Sequence, residues 1–288
     1  MGLSRLCVVG ALTSNVLLFG QTLPEPRKQF GANVTGAFEG WYESGDGTRG
    51  FLVGYYNRNT QEELDIPIGP NNRIEPGGPD MGQPTHFLPS RQFGMFAVPV
   101  PKGFTPEDKL TWTIFANGKY TSIPLRLHPD YVISPFNEIA VNNTPPVIRF
   151  EENGKTLQGP IATLTNVAIR TVSLSEPLAL TIWVADDMKY TSETSAPMTT
   201  ERAPVTLVWS KYRGPGAVTF DRARPAVEKS AAAGGANAAF SGKATTNVKF
   251  SEAGEYVLHV TANDYSGDGG GGFQCCWTTG LVKVFVKP

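Results

Sequence analysis

The stretch Phe250–Gly267, FSEAGEYVLHVTANDYSG, leaves this chain few architectures to choose from. Tyr256, Leu258, Val260 and Ala262 share one parity, and Val257, His259 and Thr261 share the other. A period of two carried by β-branched residues makes a strand with one face in a core. Gly254 allows a tight corner before it, and the Gly-x-Tyr that follows can set the Tyr256 hydroxyl against the preceding turn. Asn263-Asp264-Tyr265-Ser266-Gly267 ends the strand with turn chemistry. His259 alternates with the core residues and so reads as an outward strand residue.

A partner lies upstream. In Pro204–Phe220, PVTLVWSKYRGPGAVTF, Val205, Leu207 and Trp209 share a face, Tyr212–Gly216 makes a turn, and Val218 and Phe220 resume the alternation. The pairing of W-S-K-x-x-G-P-G-x-V-x-F with F-x-x-x-G-x-Y-x-L-x-V-x-A-x-D resembles the PKD-like and related immunoglobulin-like repeats of secreted and cell-surface proteins. The resemblance spans roughly residues 144–288. It implies a β-sandwich, and a spacer or binding role more often than an enzymatic one.

The other half also reads as strands. Phe38–Tyr42 and Gly50–Tyr56 flank the turn Ser44-Gly45-Asp46-Gly47, and Asn117-Gly118 is a strong hairpin signal between Leu110–Ala116 and Lys119–Leu127. Residues 65–91, rich in Pro and Gly, show almost no periodicity; so long a loop is functional or hides an element. Asn142-Asn143-Thr144-Pro145-Pro146 marks a domain boundary and favours an extended start to the strand Val147–Phe150. Leu178, Leu180, Ile182 and Val184 make a second strand, and Val282, Val284 and Val286 the last. Met188–Ala203 and Arg222–Lys243 read as insertions, the second with an Ala run able to form a helical turn or two. The expected architecture is all-β, with two β-sandwich domains over residues 31–143 and 144–288, the second immunoglobulin-like.

Composition narrows the function classes. A formal net charge of −1 gives no electrostatic case for nucleic acid or an anionic membrane surface. One Arg followed by an apolar run in residues 1–22 reads as a secretory signal peptide, ending after Gly20 or Thr22, which implies a secreted, extracellular or periplasmic protein. Nothing later is long and apolar enough to span a membrane. Cys7 lies in that leader; the remaining pair, Cys275 and Cys276, forms either a vicinal disulfide or two thiols.

Three groups of residues are candidates for chemistry. In an immunoglobulin-like order, Asp186 and Asp187 at the end of one strand and Asp264 and Asp268 after another meet at the pole facing the N-terminal half, an oxygen-rich arrangement suited to calcium. At the same pole the loop DYSGDGGGGFQCCW presents Phe273, Cys275, Cys276 and Trp277 as packing or as a ligand surface. In the N-terminal half, Asp80, His86, His128 and Asp130 could bind a metal or serve acid–base catalysis, though they match no motif. Glu62, Glu63 and Asp65 offer carboxylates for a glycosidase pair, with nothing to prefer them to other surface acids. No nucleophile elbow, zinc-protease, P-loop or dinucleotide motif is present.

The favoured reading is a secreted non-catalytic protein that binds a polymer, a surface or a protein partner. A secreted hydrolase-like enzyme with its site in the N-terminal loops is the alternative, and a structural subunit of an extracellular assembly a third.

Overall fold

The computed structural model describes residues 26–138, 142–165, 167–189, 203–230, 238–264 and 275–288. The expected signal peptide, Asp268, Phe273 and the Ala run lie outside the described residues, as does most of Met188–Ala203. Within them the chain is all-β, with one short 3₁₀ turn at Pro129–Tyr131, and no helix is long and apolar enough to cross a membrane.

The N-terminal half contributes β1 (Val34–Glu43), β2 (Arg49–Asn57), β3 (Leu64–Asp65), β4 (Asn72–Glu75), β5 (His86–Phe87), β6 (Ser90–Pro99), β7 (Leu110–Ala116) and β8 (Lys119–Leu125). Antiparallel sheets ordered β1-β2-β6 and β4-β7-β8 enclose Phe51, Val53, Phe96, Ile74, Trp112 and Ile114. Both expected hairpins form. At the second, Asn117 (φ 47°) and Gly118 (φ 79°) take the left-handed conformations that a tight hairpin turn needs.

The C-terminal half contributes β9 (Val147–Arg149), β10 (Ala168–Ser173), β11 (Leu178–Asp186), β12 (Thr206–Arg213), β13 (Val218–Phe220), β14 (Glu228–Lys229), β15 (Phe240–Phe250), β16 (Gly254–Asn263) and β17 (Trp277–Lys287). One sheet runs β10-β17-β16-β12, with β10 parallel to β17; the other runs β13-β15-β11-β9, with β14 also on β15. The parity sets read from the sequence all enter one cluster between these sheets: Leu207 and Trp209, Leu180 to Val184, Tyr256 to Ala262, and Val282 to Val286. Phe240–Lys243, expected inside an insertion, instead opens β15, because Gly242, Ala244 and Val248 alternate with lysines and polar residues against β11.

Over β12, much of β16 and the start of β17, the four-stranded sheet is covered on both faces. Its second face presents Tyr212, Val257 and Leu281 to the core of the N-terminal half, while Trp277 packs with Tyr42, Leu52 and Ala97. This corrects the reading of His259. It does point away from the core between the two C-terminal sheets, yet it is only 1% exposed, because the N-terminal half lies over it.

The expected corner forms as well. The Tyr256 hydroxyl donates to the Glu252 carbonyl (2.9 Å) and accepts from the Gly216 amide (3.0 Å), joining the turn before β16 to the turn between β12 and β13. Tyr256→Phe keeps the ring and strands both backbone groups, so it should cost about 1–3 kcal/mol of stability in urea unfolding. An unchanged midpoint would show that the corner bond is incidental.

Candidate functional site

Residues 65–91 are built into the structure by contacts distant in sequence. Buried Asn72 donates to the carbonyls of Ile66 (3.0 Å) and Pro84 (2.8 Å) and accepts from Trp112 Nε1 (2.9 Å). From the other half, three consecutive residues at the end of β12 take hold of the segment. Lys211 Nζ donates to Asp65 Oδ1 (3.1 Å), the Tyr212 hydroxyl to the Gly82 carbonyl, and Arg213 to both oxygens of Asp80 (2.8 Å each) and to the Gln83 carbonyl (3.0 Å via Nε). The Thr85 amide returns a bond to the Tyr212 carbonyl (3.1 Å).

This clamp leaves a cleft of about 740 Å³ between the halves. Its polar wall is Glu63, Asp65, His86 and Lys211; its apolar wall includes Pro215, Val218, Phe220 and Trp209; Ser210, Ser251 and Glu252 also face it. His86 is held on both sides, Nδ1 at 3.0 Å from Asp65 Oδ1 and Nε2 at 3.2 Å from Glu63 Oε2. Lys211 and His86 are each 8% exposed at the side chain, whereas Glu63 and Asp65 are more than half open. Burial acts to raise Asp65, but hydrogen bonds from His86 and Lys211 outweigh it and hold the carboxyl below its ordinary range. Opposite, Trp209 stacks on Phe220 at 6.4 Å, and its buried indole N–H has no acceptor among the described residues.

The sequence candidates therefore separate. His86 enters the cleft with Asp65 and Glu63, while Asp80 serves the clamp, where hydrogen bonds from Arg213 lower its pKa. His128 and Asp130 sit on the exposed 3₁₀ turn, 3.5 Å apart, beside a separate pocket that includes Tyr131 and Phe38. Glu62 accepts from the Gly31 amide (2.7 Å) and Asn117 (3.1 Å), away from the cleft lining. Cys275 and Cys276 are disulfide-bonded to each other, and both are buried with Trp277; Trp277 lies between the halves. Lys211 is the site residue that periodicity misses. Its signal was its parity, since it continues the inward series Val205, Leu207, Trp209 with a charge.

The acid cluster does gather at the junction pole. Asp264 Oδ2 accepts from Asn143 Nδ2 (2.7 Å), and Asp187 Oδ2 accepts from the Thr144 hydroxyl (2.9 Å). Asp186 Oδ2 takes the Met188 amide (2.8 Å). Burial pushes Asp186 up to about 7, and the charges of Asp264 and Asp187 add to the rise. No group of three or more Asp, Glu, His or Cys among the described residues is arranged to hold a metal.

No family model matches the chain, and no curated protein matches it. Among solved structures it is similar to a mutant form of the CFA/I adhesin CfaE of enterotoxigenic E. coli, at 8% identity and a TM-score of 0.24 over 92% of this chain and 83% of that one. The site's chemistry rests on this chain's own residues.

Between the halves, His259 stacks on Tyr212 (5.8 Å, 16°) and hydrogen-bonds the Met95 backbone; burial drives its pKa down to about 4. Unfolded, the ring titrates near its ordinary value, so between about pH 6.5 and 4 the unfolded chain binds a proton that the folded one refuses. Stability should therefore fall as pH drops through that window, by about 3 kcal/mol from this residue. His259→Phe, which keeps the stack on Tyr212, should flatten the acid limb of Tm against pH; an identical limb in both proteins would refute the assignment.

Proposed function

We propose that the chain is an exported, non-catalytic binding protein that holds part of an extracellular polymer, surface or protein partner in the cleft between its halves. Two β-sandwich modules carry the cleft, the second of the PKD-like immunoglobulin-like kind. The observation that carries this reading is the cleft's form: one charged wall facing one apolar wall, across about 740 Å³, within the usual range of ligand pockets. Buried Lys211 and His86 orient the exposed carboxylates Asp65 and Glu63, so the polar wall stands formed before a ligand arrives. The apolar side of a ligand then rests on Val218 and Phe220, and its polar groups meet the carboxylates and Ser210.

One observation favours hydrolysis as a second reading. An imidazole flanked by two carboxylates can relay a proton, and His86 has that setting.

Both readings meet in one experiment. Fluorescently labelled protein is incubated with cellulose, chitin, peptidoglycan and intact cells, then washed. Wild type should stay on at least one of them, and Ser210→Trp, which fills the cleft from β12, should be retained at least about tenfold less. Equal retention of the two proteins, or none of either, would sink the cleft as the site. Soluble fragments released by wild type but not by His86→Asn would replace binding with hydrolysis.

A further inference from the structure

The junction pole holds a feature unrelated to the cleft. Asp186 continues the inward series Leu180, Ile182, Val184 on β11, and Asp264 continues Leu258, Val260, Ala262 beyond β16. The two carboxyls thus stand at the mouth of the same inter-sheet space, each 4% exposed. Asn143 is fully buried and its Nδ2 donates to Asp264 Oδ2 at 2.7 Å.

Asp186 Oδ1 and Asn143 Oδ1 have no partner among the described residues, and neither does Asn263 Oδ1 next to Asp264. Asn143 Oδ1 belongs to the same side-chain amide whose nitrogen donates to Asp264. The charges that act on Asp186, from Asp264 and Asp187, are both negative. A buried acceptor left bare costs about 1–3 kcal/mol, and a bare buried charge more. Lys189, the nearby cation, is spent on the Asn142 carbonyl (2.9 Å) and on Asp187 (3.8 Å).

We propose that the pole binds one hard, oxygen-seeking cation, of the calcium class, between Asp186, Asp264 and the Asn143 amide oxygen. Such ions take six to eight oxygens, and only two carboxylates and an amide are supplied here, so water completes the shell. Affinity is accordingly weak, about 10⁻⁴–10⁻³ M, the range of extracellular calcium modules. The bound ion ties the linker to both sheets at once, since Asn143 belongs to the linker and the two acids to facing sheets.

The test uses the full chain stripped with EDTA and calcium chloride as the probe. In about 10 mM calcium, Tm should rise by about 3–8 °C, because the ion binds only the folded state. Magnesium, which demands a tighter octahedral shell, should raise it less. Asp186→Asn keeps the size and the acceptor for Met188 but removes the charge, and should lose the calcium response. An unchanged wild-type Tm, an equal rise with magnesium, or an equal rise in Asp186→Asn would overturn the site. Should that variant fail to fold, calorimetric titration of wild type decides: saturation at one ion per chain supports the proposal, and no saturable heat overturns it.

Discussion

The grip of Lys211, Tyr212 and Arg213 on residues 65–91 is the interaction on which the rest of the arrangement depends. Without it, a Pro- and Gly-rich segment of that length has too little apolar surface to offset its ordering. With it, each of three successive residues on one edge strand anchors a different point of the segment, beside the β4–β7 pairing and the Asn72–Trp112 bond that hold it to the other sheet. The three act by different physics. Arg213 makes a forked pair with Asp80, Tyr212 buries its ring in the other half's core while its hydroxyl binds a carbonyl, and Lys211 delivers a buried charge to Asp65. A bulge in the β12–β16 pairing between Lys211 and Arg213 sets consecutive residues to work on one target.

That grip also explains why the outer face of β12, of much of β16 and of the start of β17 is shielded from solvent. A sandwich sheet normally alternates apolar and polar residues, and β16 departs from this only in keeping Val257 and His259 on the outer parity. Once the N-terminal half is docked, those positions join or abut its core, and a histidine there must stay neutral. The cost of burying an imidazole is limited by its stack on Tyr212 and its bond to the Met95 backbone.

Where the sequence speaks of local patterns, it speaks clearly. Strands with large inward residues, such as Leu178 to Val184 or Tyr256 to Ala262, are legible because period two is written in bulky side chains. β15 escapes the same reading because its inward residues include Gly242, Ala244 and Thr246, too small to stand out from the Ala- and Gly-rich residues before them. β10 escapes because Ile169, on its outer face, is 59% exposed, so hydrophobicity does not mark its inside. The cleft is harder still. Glu63, Asp65 and His86 lie near one another in sequence but gain meaning only from Lys211, 146 residues after Asp65.

The pole and the cleft differ in how the halves meet at each. At the cleft, opposite charges from the two halves neutralise one another, and the pairing itself holds the walls apart at a set spacing. At the pole, acids from two strands of the same half converge, and the Asn143 amide, the Thr144 hydroxyl and the backbone amides of Met188 and Lys189 donate to them, so like charges are brought together instead of being paired with charges of opposite sign from the other half. Carboxylates collected in this way are tolerated when each oxygen has a hydrogen-bond donor, and Asp187 nearly meets that condition through Thr144 and the Lys189 amide. Asp186 does not, since one of its oxygens has no partner among the described residues. Folding therefore gathers like charges at this pole beside an Asp186 oxygen that has no partner among the described residues, whereas at the cleft it sets opposite charges against each other.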